Sequence, residues 1–388
     1  MGEKKTGLGR ARMEWARVHQ RIMNEICRDF SAKRPFEGLT IGVCLHVEPK
    51  TAVLCSVLAE GGASIALTGS PGTTQDDVAE ALAADGIAVY GRRADGRSEH
   101  AGNIRSVVSH DPDIVLDNGA DLVAAVLASE SAHRRLRGGT EETTTGANRL
   151  REDFARELDF PVIVINDSPL KSIVENQFGV GQGVVEAFMH ATNLMVPAKH
   201  FVVIGYGFCG RGIARSLRSF GARVVVVEVD EVRALEAVLD GMEVRDLEEV
   251  LTWGEVFVTV TGRAGILRRA HFERMRDGAV LLNAGHFSWE IDVESLRTLS
   301  VETETFSTDI EGFRMASGRS IYLLARGEMI NLAASGGNPI ETMDLGLALQ
   351  ARSLARIATR GDELSPGPLP VPDDINREVA RQMLAALS

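Results

Sequence analysis

Positive charge is in short supply: Lys and Arg total 42 against 54 Asp and Glu, a formal net charge of −12. At long range such a chain repels nucleic-acid phosphates and anionic membrane surfaces, which excludes non-specific binding to either. A small molecule is then the expected partner. No run approaches the roughly 18 apolar residues of a membrane helix, and the basic start MGEKKTGLGRARMEWARVHQR lacks the apolar centre of a leader. A cytoplasmic protein is expected. Cys27, Cys44, Cys55 and Cys209 have no C-x-x-C spacing and lie in or beside apolar runs, which argues against a disulfide framework or a zinc cluster and predicts buried thiols and no metal. No internal repeat or low-complexity tract is present.

What is there fits two compact domains: 388 residues, 44% hydrophobic and 25% charged. From Gly38 the pattern is strand, helix, strand: LTIGVCLHV, TAVLCSVLAEGG, ASIALTGS, then the helix TQDDVAEALAADG, IAVYG and PDIVLDNGADL. Strands alternating with helices of ten to fifteen residues predict a parallel sheet covered on both faces, with ligands at the carboxyl ends of its strands. His46, Ser70, Gln75 and Asn118 follow those ends. A second series begins after FPVIVINDSPLK, with a helix over about 182–195 and the strands KHFVVIGYG, ARVVVVEVD, VFVTVTG and AVLLNAGHF. The expected class is α/β, with two doubly wound parallel-sheet, Rossmann-like domains. Residues 1–175 form the first segment of a substrate domain, 176–337 a dinucleotide domain, and 338–388 return to the substrate domain. Gly336 to Pro339 reads as a hinge. The amphipathic helix IETMDLGLALQARSLARIA that follows is expected to pack back on the first domain, ahead of the proline-rich SPGPLPVPDD and a final helix.

In IGYGFCGRG, Gly205 permits a tight turn, Gly207 lets backbone approach a pyrophosphate, and Gly210 lets the helix pack close to the strand. Alone the pattern is weak. It gains force because a strand precedes it, a helix follows, and VVVVEVD sets Glu228 at the end of the next strand. A carboxylate there accepts from ribose hydroxyls and repels an extra phosphate, which predicts NAD as cofactor.

Further motifs are EETTTG at 141–146, INDSPLKSIVENQFG at 165–179, NAGHFSWEID at 283–292, CLHVEPKTAVL at 44–54, TTQDD at 73–77, NLAASGGNP at 331–339 and INREVARQML near the end. Together with the glycine turn, and collinear from about Phe36 to Leu384, they resemble the S-adenosylhomocysteine hydrolase family. The resemblance implies two-domain subunits in a homo-oligomer, dimer or tetramer, and a nucleoside substrate oxidised transiently at its 3′-hydroxyl. The ketone acidifies C4′–H, the 5′ substituent is expelled, water adds, and the redox cancels. Lys171 and His286 match residues at the 3′-oxygen and Glu142 the carboxylate on the ribose hydroxyls. His46 matches the histidine that handles the proton at the leaving group, a role suited to a side chain titrating near neutrality. Thr143, Thr144, Thr145, Asn176, Thr261 and Asn331 match NAD contacts, and the resemblance adds Phe208, Cys209, Arg233, Ala284 and Gly285. EETTTG also reads as a capped helix start.

The departures concentrate at the substrate end. Asn118 stands where the family has the aspartate that acts at C4′, and an amide cannot serve as a base. Glu48 and Lys50 replace a threonine and a glutamate that hold adenine, next to Thr51, so the charge pattern is inverted. Glu175 replaces an aspartate, Val180 the family's active-site cysteine, and Asn338 the histidine of the GHP stretch. The family's C-terminal extension has no counterpart after Ser388, which puts its tetramer contacts and tight NAD retention in question. Three readings stay open: an enzyme rewired toward elimination without hydration, leaving a 4′,5′-unsaturated adenine-type nucleoside; an ordinary S-adenosylhomocysteine hydrolase; and a non-catalytic NAD-binding relative. The departures favour the first.

Overall fold

The computed structural model describes residues 2–70, 72–286 and 288–388; Phe287, inside the expected NAGHFSWEID motif, lies outside them. The strands in chain order are β1 (Thr40–Cys44), β2 (Ser64–Thr68), β3 (Ala88–Tyr90), β4 (Ile114–Asp117), β5 (Gly138–Glu141), β6 (Pro161–Val164), β7 (His200–Ile204), β8 (Arg223–Val227), β9 (Glu243–Val244), β10 (Val256–Thr259), β11 (Ala279–Asn283), β12 (Ser300–Ser307), β13 (Ile310–Met315), β14 (Ser320–Leu324) and β15 (Gly367–Pro370). They form two sheets in two compact units. Met1–Ser172 and Ile340–Ser388 make one unit; Ile173–Pro339 makes the other.

The first unit holds an all-parallel sheet in the order β15-β6-β5-β4-β1-β2-β3. β1 pairs with β2 on one side and β4 on the other, so the order reverses between β1 and β4, the kind of switch point at whose carboxyl ends α/β sheets bind ligands. His46 and Asn118 follow these two strands. β15 lies within the stretch that reads as proline-rich. Pro368 and Pro370 are tolerated because the strand is at the sheet edge, with only β6 beside it. The helix Ile340–Arg360 packs on β4 and β5 and on the helices Arg21–Lys33 and Pro49–Glu60 of the same unit. The basic N-terminal segment is the helix Gly2–His19, seated on the helix Asp76–Ala84 so closely that a Cβ at Gly9 would lie 2.1 Å from the Asp77 carbonyl oxygen.

The second unit has the order β12-β13-β14-β11-β10-β7-β8-β9. Its strands are parallel apart from the β12–β13–β14 meander, an antiparallel extension that the alternation of strands and helices did not announce. The strands read as continuous apolar runs because both faces are covered: Phe201, Val203, Val256 and Val258 enter one core, and Val202, Ile204 and Phe257 the other. The helix expected near 182–195 runs Val180–Thr192 and is preceded by a π-helical turn, Lys171–Gly179, a geometry that recurs at functional sites. Cys44 and Cys55 are buried, and burial pushes the Cys55 thiol up to about 12. Cys27 and Cys209 are only half-buried, against the expectation of four buried thiols.

Candidate functional site

In the second unit the switch point lies between β7 and β10, and the glycine turn follows β7. Gly205 has φ +108°, where a side chain is strained, and its Cβ would sit 2.8 Å from the Val260 carbonyl oxygen. A Cβ at Gly210 would lie 2.0 Å from the Gly205 carbonyl oxygen, so this glycine exists for helix–strand contact. Gly207 differs. Its Cβ would meet nothing nearer than the Arg233 guanidinium at 3.9 Å, which leaves open space at the N-terminus of the helix Phe208–Ser219 where an anion is stabilised. Glu228, just after β8, accepts from the Tyr206 N–H at 2.7 Å through one oxygen and from the Val229 and Asp230 N–H groups at 2.7 and 3.0 Å through the other. The acid is thereby fixed against the turn. Phe208 is exposed and Cys209 half-buried on the first helical turn.

The loop after β10 is organised by a residue that sequence reasoning missed. Glu290, fully buried, accepts from the Thr261 N–H at 2.9 Å, the Thr261 hydroxyl at 3.0 Å and the Gly262 N–H at 2.7 Å. Burial raises its carboxyl above the usual range although these donors oppose it. A Cβ at Gly285 would strike the same carboxylate, which explains the glycine beside buried Ala284. Asn283 accepts from the Gly285 N–H at 2.9 Å and donates to the Gly327 carbonyl at 3.1 Å, which fixes the start of the segment leading to half-buried His286. The Asn331 side-chain amide donates to Asn338 Oδ1 at 3.0 Å. The π-helical turn carries Glu175, buried, and Asn176, half-buried.

In the first unit, four groups of predicted residues come together locally. Lys171 and Glu142, both buried, form an ion pair, and the second Glu142 oxygen accepts from the Gln350 amide. Next, His46 Nδ1 lies 3.0 Å from the Thr73 hydroxyl, which itself donates to the Ser70 carbonyl at 2.8 Å. The hydroxyl proton is thus committed, so Nδ1–H donates and the neutral ring has Nε2 as its basic nitrogen. Glu48 and Lys50 pair at 2.9 Å, both buried, at the start of the helix Pro49–Glu60 that also buries Thr51. Finally, Gln75 accepts from Arg12, which also binds Asp77 at 2.9 Å.

Asn118 is buried and its side-chain oxygen has no hydrogen-bond partner among the described residues. The loop around it is held by Asp117 and Glu141, neither of which was picked out. Asp117 accepts from the Asn118 and Val123 N–H groups at 2.8 and 2.7 Å; Glu141 accepts from those of Gly119 and Ala120, each at 3.0 Å, and of Thr143 at 2.7 Å. Thr143 also donates its hydroxyl to Glu141 at 2.8 Å and accepts from the Gly146 N–H at 2.9 Å as the helix cap. Thr144 is exposed and Thr145 half-buried. The doubled acid at 141–142 was the available signal for Glu141, and a glutamine inside an apolar helix was the one for Gln350. Among the described residues no cluster of metal-ligating side chains occurs and no helix is long and apolar enough to cross a membrane.

The glycine turn with its open Gly207, the acid at the end of the next strand and the strand order define a dinucleotide-binding protein of the Rossmann class. Two sequence profiles match: "S-adenosyl-L-homocysteine hydrolase, NAD binding domain" over residues 176–337 and "S-adenosyl-L-homocysteine hydrolase" over residues 3–135. The chain is 44% identical over 384 residues to the S-inosyl-L-homocysteine hydrolase of Methanopyrus kandleri, covering 98% of this chain and 90% of that protein. It is 43% identical over 381 residues to the adenosylhomocysteinase of Sulfolobus acidocaldarius, with 98% and 92% covered. The adenosylhomocysteinase of Archaeoglobus fulgidus is also 43% identical, over 383 residues, with 98% and 94% covered. The chain belongs to the S-adenosyl-L-homocysteine hydrolase family, as an enzyme whose cofactor is NAD.

Proposed function

We propose that the enzyme cleaves the 5′ thioether of a purine nucleoside by transient 3′-oxidation, elimination and addition of water, with no net oxidation. NAD, when bound, supplies the oxidation and its reversal. The observation that carries this reading is the buried Glu142 carboxylate between Lys171 and Gln350. A solvated surface lysine needs no such setting. Here the carboxylate accepts from ribose hydroxyls, and Lys171, entering the step as the neutral amine, takes the proton that the 3′-hydroxyl gives up and becomes the ammonium paired with Glu142. His46 uses Nε2 at the 5′ leaving group, held in its tautomer by Thr73.

Lys50 and Glu48 occupy the positions that the family resemblance assigns to the base. An ammonium donates hydrogen bonds and accepts none, so it suits a carbonyl at purine C6 and not an amino group. That favours a 6-oxopurine nucleoside over the adenine expected from the sequence, and a relative named for inosyl-homocysteine supports the same choice. A second reading is elimination that stops before water adds, motivated by the altered substrate end; in it His46 or Glu48 takes the C4′ proton that the Asn118 amide cannot accept.

Product mass decides. The protein with NAD is given S-inosyl- and S-adenosyl-L-homocysteine and, separately, nucleosides bearing a 5′-hydroxyl. Homocysteine with an intact nucleoside, faster from the inosyl substrate, is the expected result. A product lighter by water selects the second reading. No product and no reduction of bound nicotinamide sinks both and leaves a binding protein.

A further inference from the structure

Gln350 lies in the middle of the helix Ile340–Arg360, fully buried, 208 residues from Glu142. Its Nε2 donates to Glu142 Oε2 while Lys171 holds Oε1, so each carboxylate oxygen has one protein donor. The orientation of the amide follows, since its oxygen turned toward the carboxylate would meet only acceptors. The consequence is a cost elsewhere: Gln350 Oε1 is left buried with no hydrogen-bond partner among the described residues. A buried acceptor without a donor is destabilising. A glutamine placed only to pack a helix core would satisfy both ends or be replaced by leucine. The backbone adds a second constraint, for the Glu142 N–H donates to the Asp117 carbonyl at 3.0 Å and so fixes the Cα from which the carboxylate projects.

We propose that Gln350 is a positioning residue of the reaction site, orienting the Glu142 carboxylate so that its remaining lone pairs face the substrate hydroxyls. This rests on the reading of Glu142 given above. Removing the amide takes the donor from Oε2, and a second carboxylate in its place sets two acceptors face to face, so either change turns the Glu142 carboxylate away from the hydroxyls. A helix-packing role would change stability and leave kcat where it is.

The test compares wild type, Gln350→Leu, Gln350→Glu and Glu142→Gln, each loaded with NAD and assayed for nucleoside release. Gln350→Leu is expected to lower kcat by about 10- to 100-fold with KM within about threefold, because the lost contact acts in the transition state. Gln350→Glu should lose kcat at least as strongly, again with KM little changed. Wild-type kcat in both variants, or a loss carried by KM alone, would overturn the proposal. If Gln350→Leu does not fold, the near-isosteric Gln350→Glu carries both outcomes. Failure of the underlying reading looks different: a folded Glu142→Gln as active as wild type.

Discussion

Asp117 and Glu141 stand directly opposite each other at the carboxyl ends of β4 and β5, both fully buried, with five backbone N–H groups and the Thr143 hydroxyl turned toward them. Burial pushes both carboxyl groups above the usual range; the Asp117 charge raises Glu141 further, and the Asp121 charge raises Asp117. These two acids shape the loop that bears Asn118 and the turn that bears Glu142, although neither is a candidate for touching substrate.

The raised ionisation of this pair makes stability pH-dependent. The folded state keeps protons that the unfolded chain has already lost, so the pair's contribution is fully present below the ordinary carboxylate range and declines as pH rises toward neutrality. In Glu141→Gln that slope should flatten in urea titrations at about pH 5 and about pH 8. The amide would also turn an N–H toward the Ala120 N–H, destabilising by about 1–3 kcal/mol. An unchanged slope would mean that the pair does not share protons in this way.

Lys171 and Glu142 separate chemistry from stability. Lys171→Met strands a buried carboxylate, which costs about 3–5 kcal/mol, and should lower turnover by about 10²–10⁴-fold. Adding Glu142→Gln removes the stranded charge, so most of the stability should return while turnover stays lost. Thermal melts and product assays on the two single variants and the double variant check this, and recovery of turnover in the double variant would count against the role given to Lys171.

The glycine turn yields a paired prediction. Gly210→Ala drives a Cβ into the Gly205 carbonyl and should destabilise the cofactor unit even without NAD. Gly207→Ala meets open space, and its φ of −68° suits alanine. Its stability without NAD should stay within about 0.5 kcal/mol of wild type. Its NAD affinity should fall by about tenfold or more, because the methyl occupies the approach of the pyrophosphate. Calorimetric titration beside a thermal melt distinguishes the two variants, and equal NAD affinity in Gly207→Ala would remove the pyrophosphate from that position.

The parts legible in the sequence are those whose physics is local. Val202 to Ile204 is apolar without alternation because both sheet faces are covered, and Gly205 then breaks it, so strand, turn and following helix can be read within a dozen residues. Glu228 is legible for the same reason, one strand away. β15 was not legible: two prolines argue against a strand unless it lies at an edge, and edge position is a property of the whole sheet. Gln350, Glu141 and Glu290 were missed because their partners are set by packing. Glu290 caps a loop 29 residues earlier, and Gln350 reaches Glu142 across 208. Family motifs flagged the residues expected to touch ligand; Glu141 and Glu290 lie inside two of those motifs, but nothing in the motif distinguishes a residue that holds from one that touches.

The Glu48–Lys50 pair should set base preference, and its polarity can be reversed. Lys50→Glu alone would leave two buried carboxylates side by side, so the informative variant is Glu48→Thr with Lys50→Glu, which removes the like-charge contact and presents an acceptor in place of a donor. A buried donor facing an amino group leaves both unpaired, as does an acceptor facing a carbonyl, and each mismatch is worth about 1–3 kcal/mol. The ratio of kcat/KM for inosyl over adenosyl thioether should therefore fall by about 10²-fold or more in the double variant, with the adenosyl substrate gaining in absolute terms. Direct competition between the two substrates measures that ratio without dependence on enzyme concentration. If it does not move while the variant folds and turns over, the ion pair lies outside the base pocket, and the case for a 6-oxopurine falls with it.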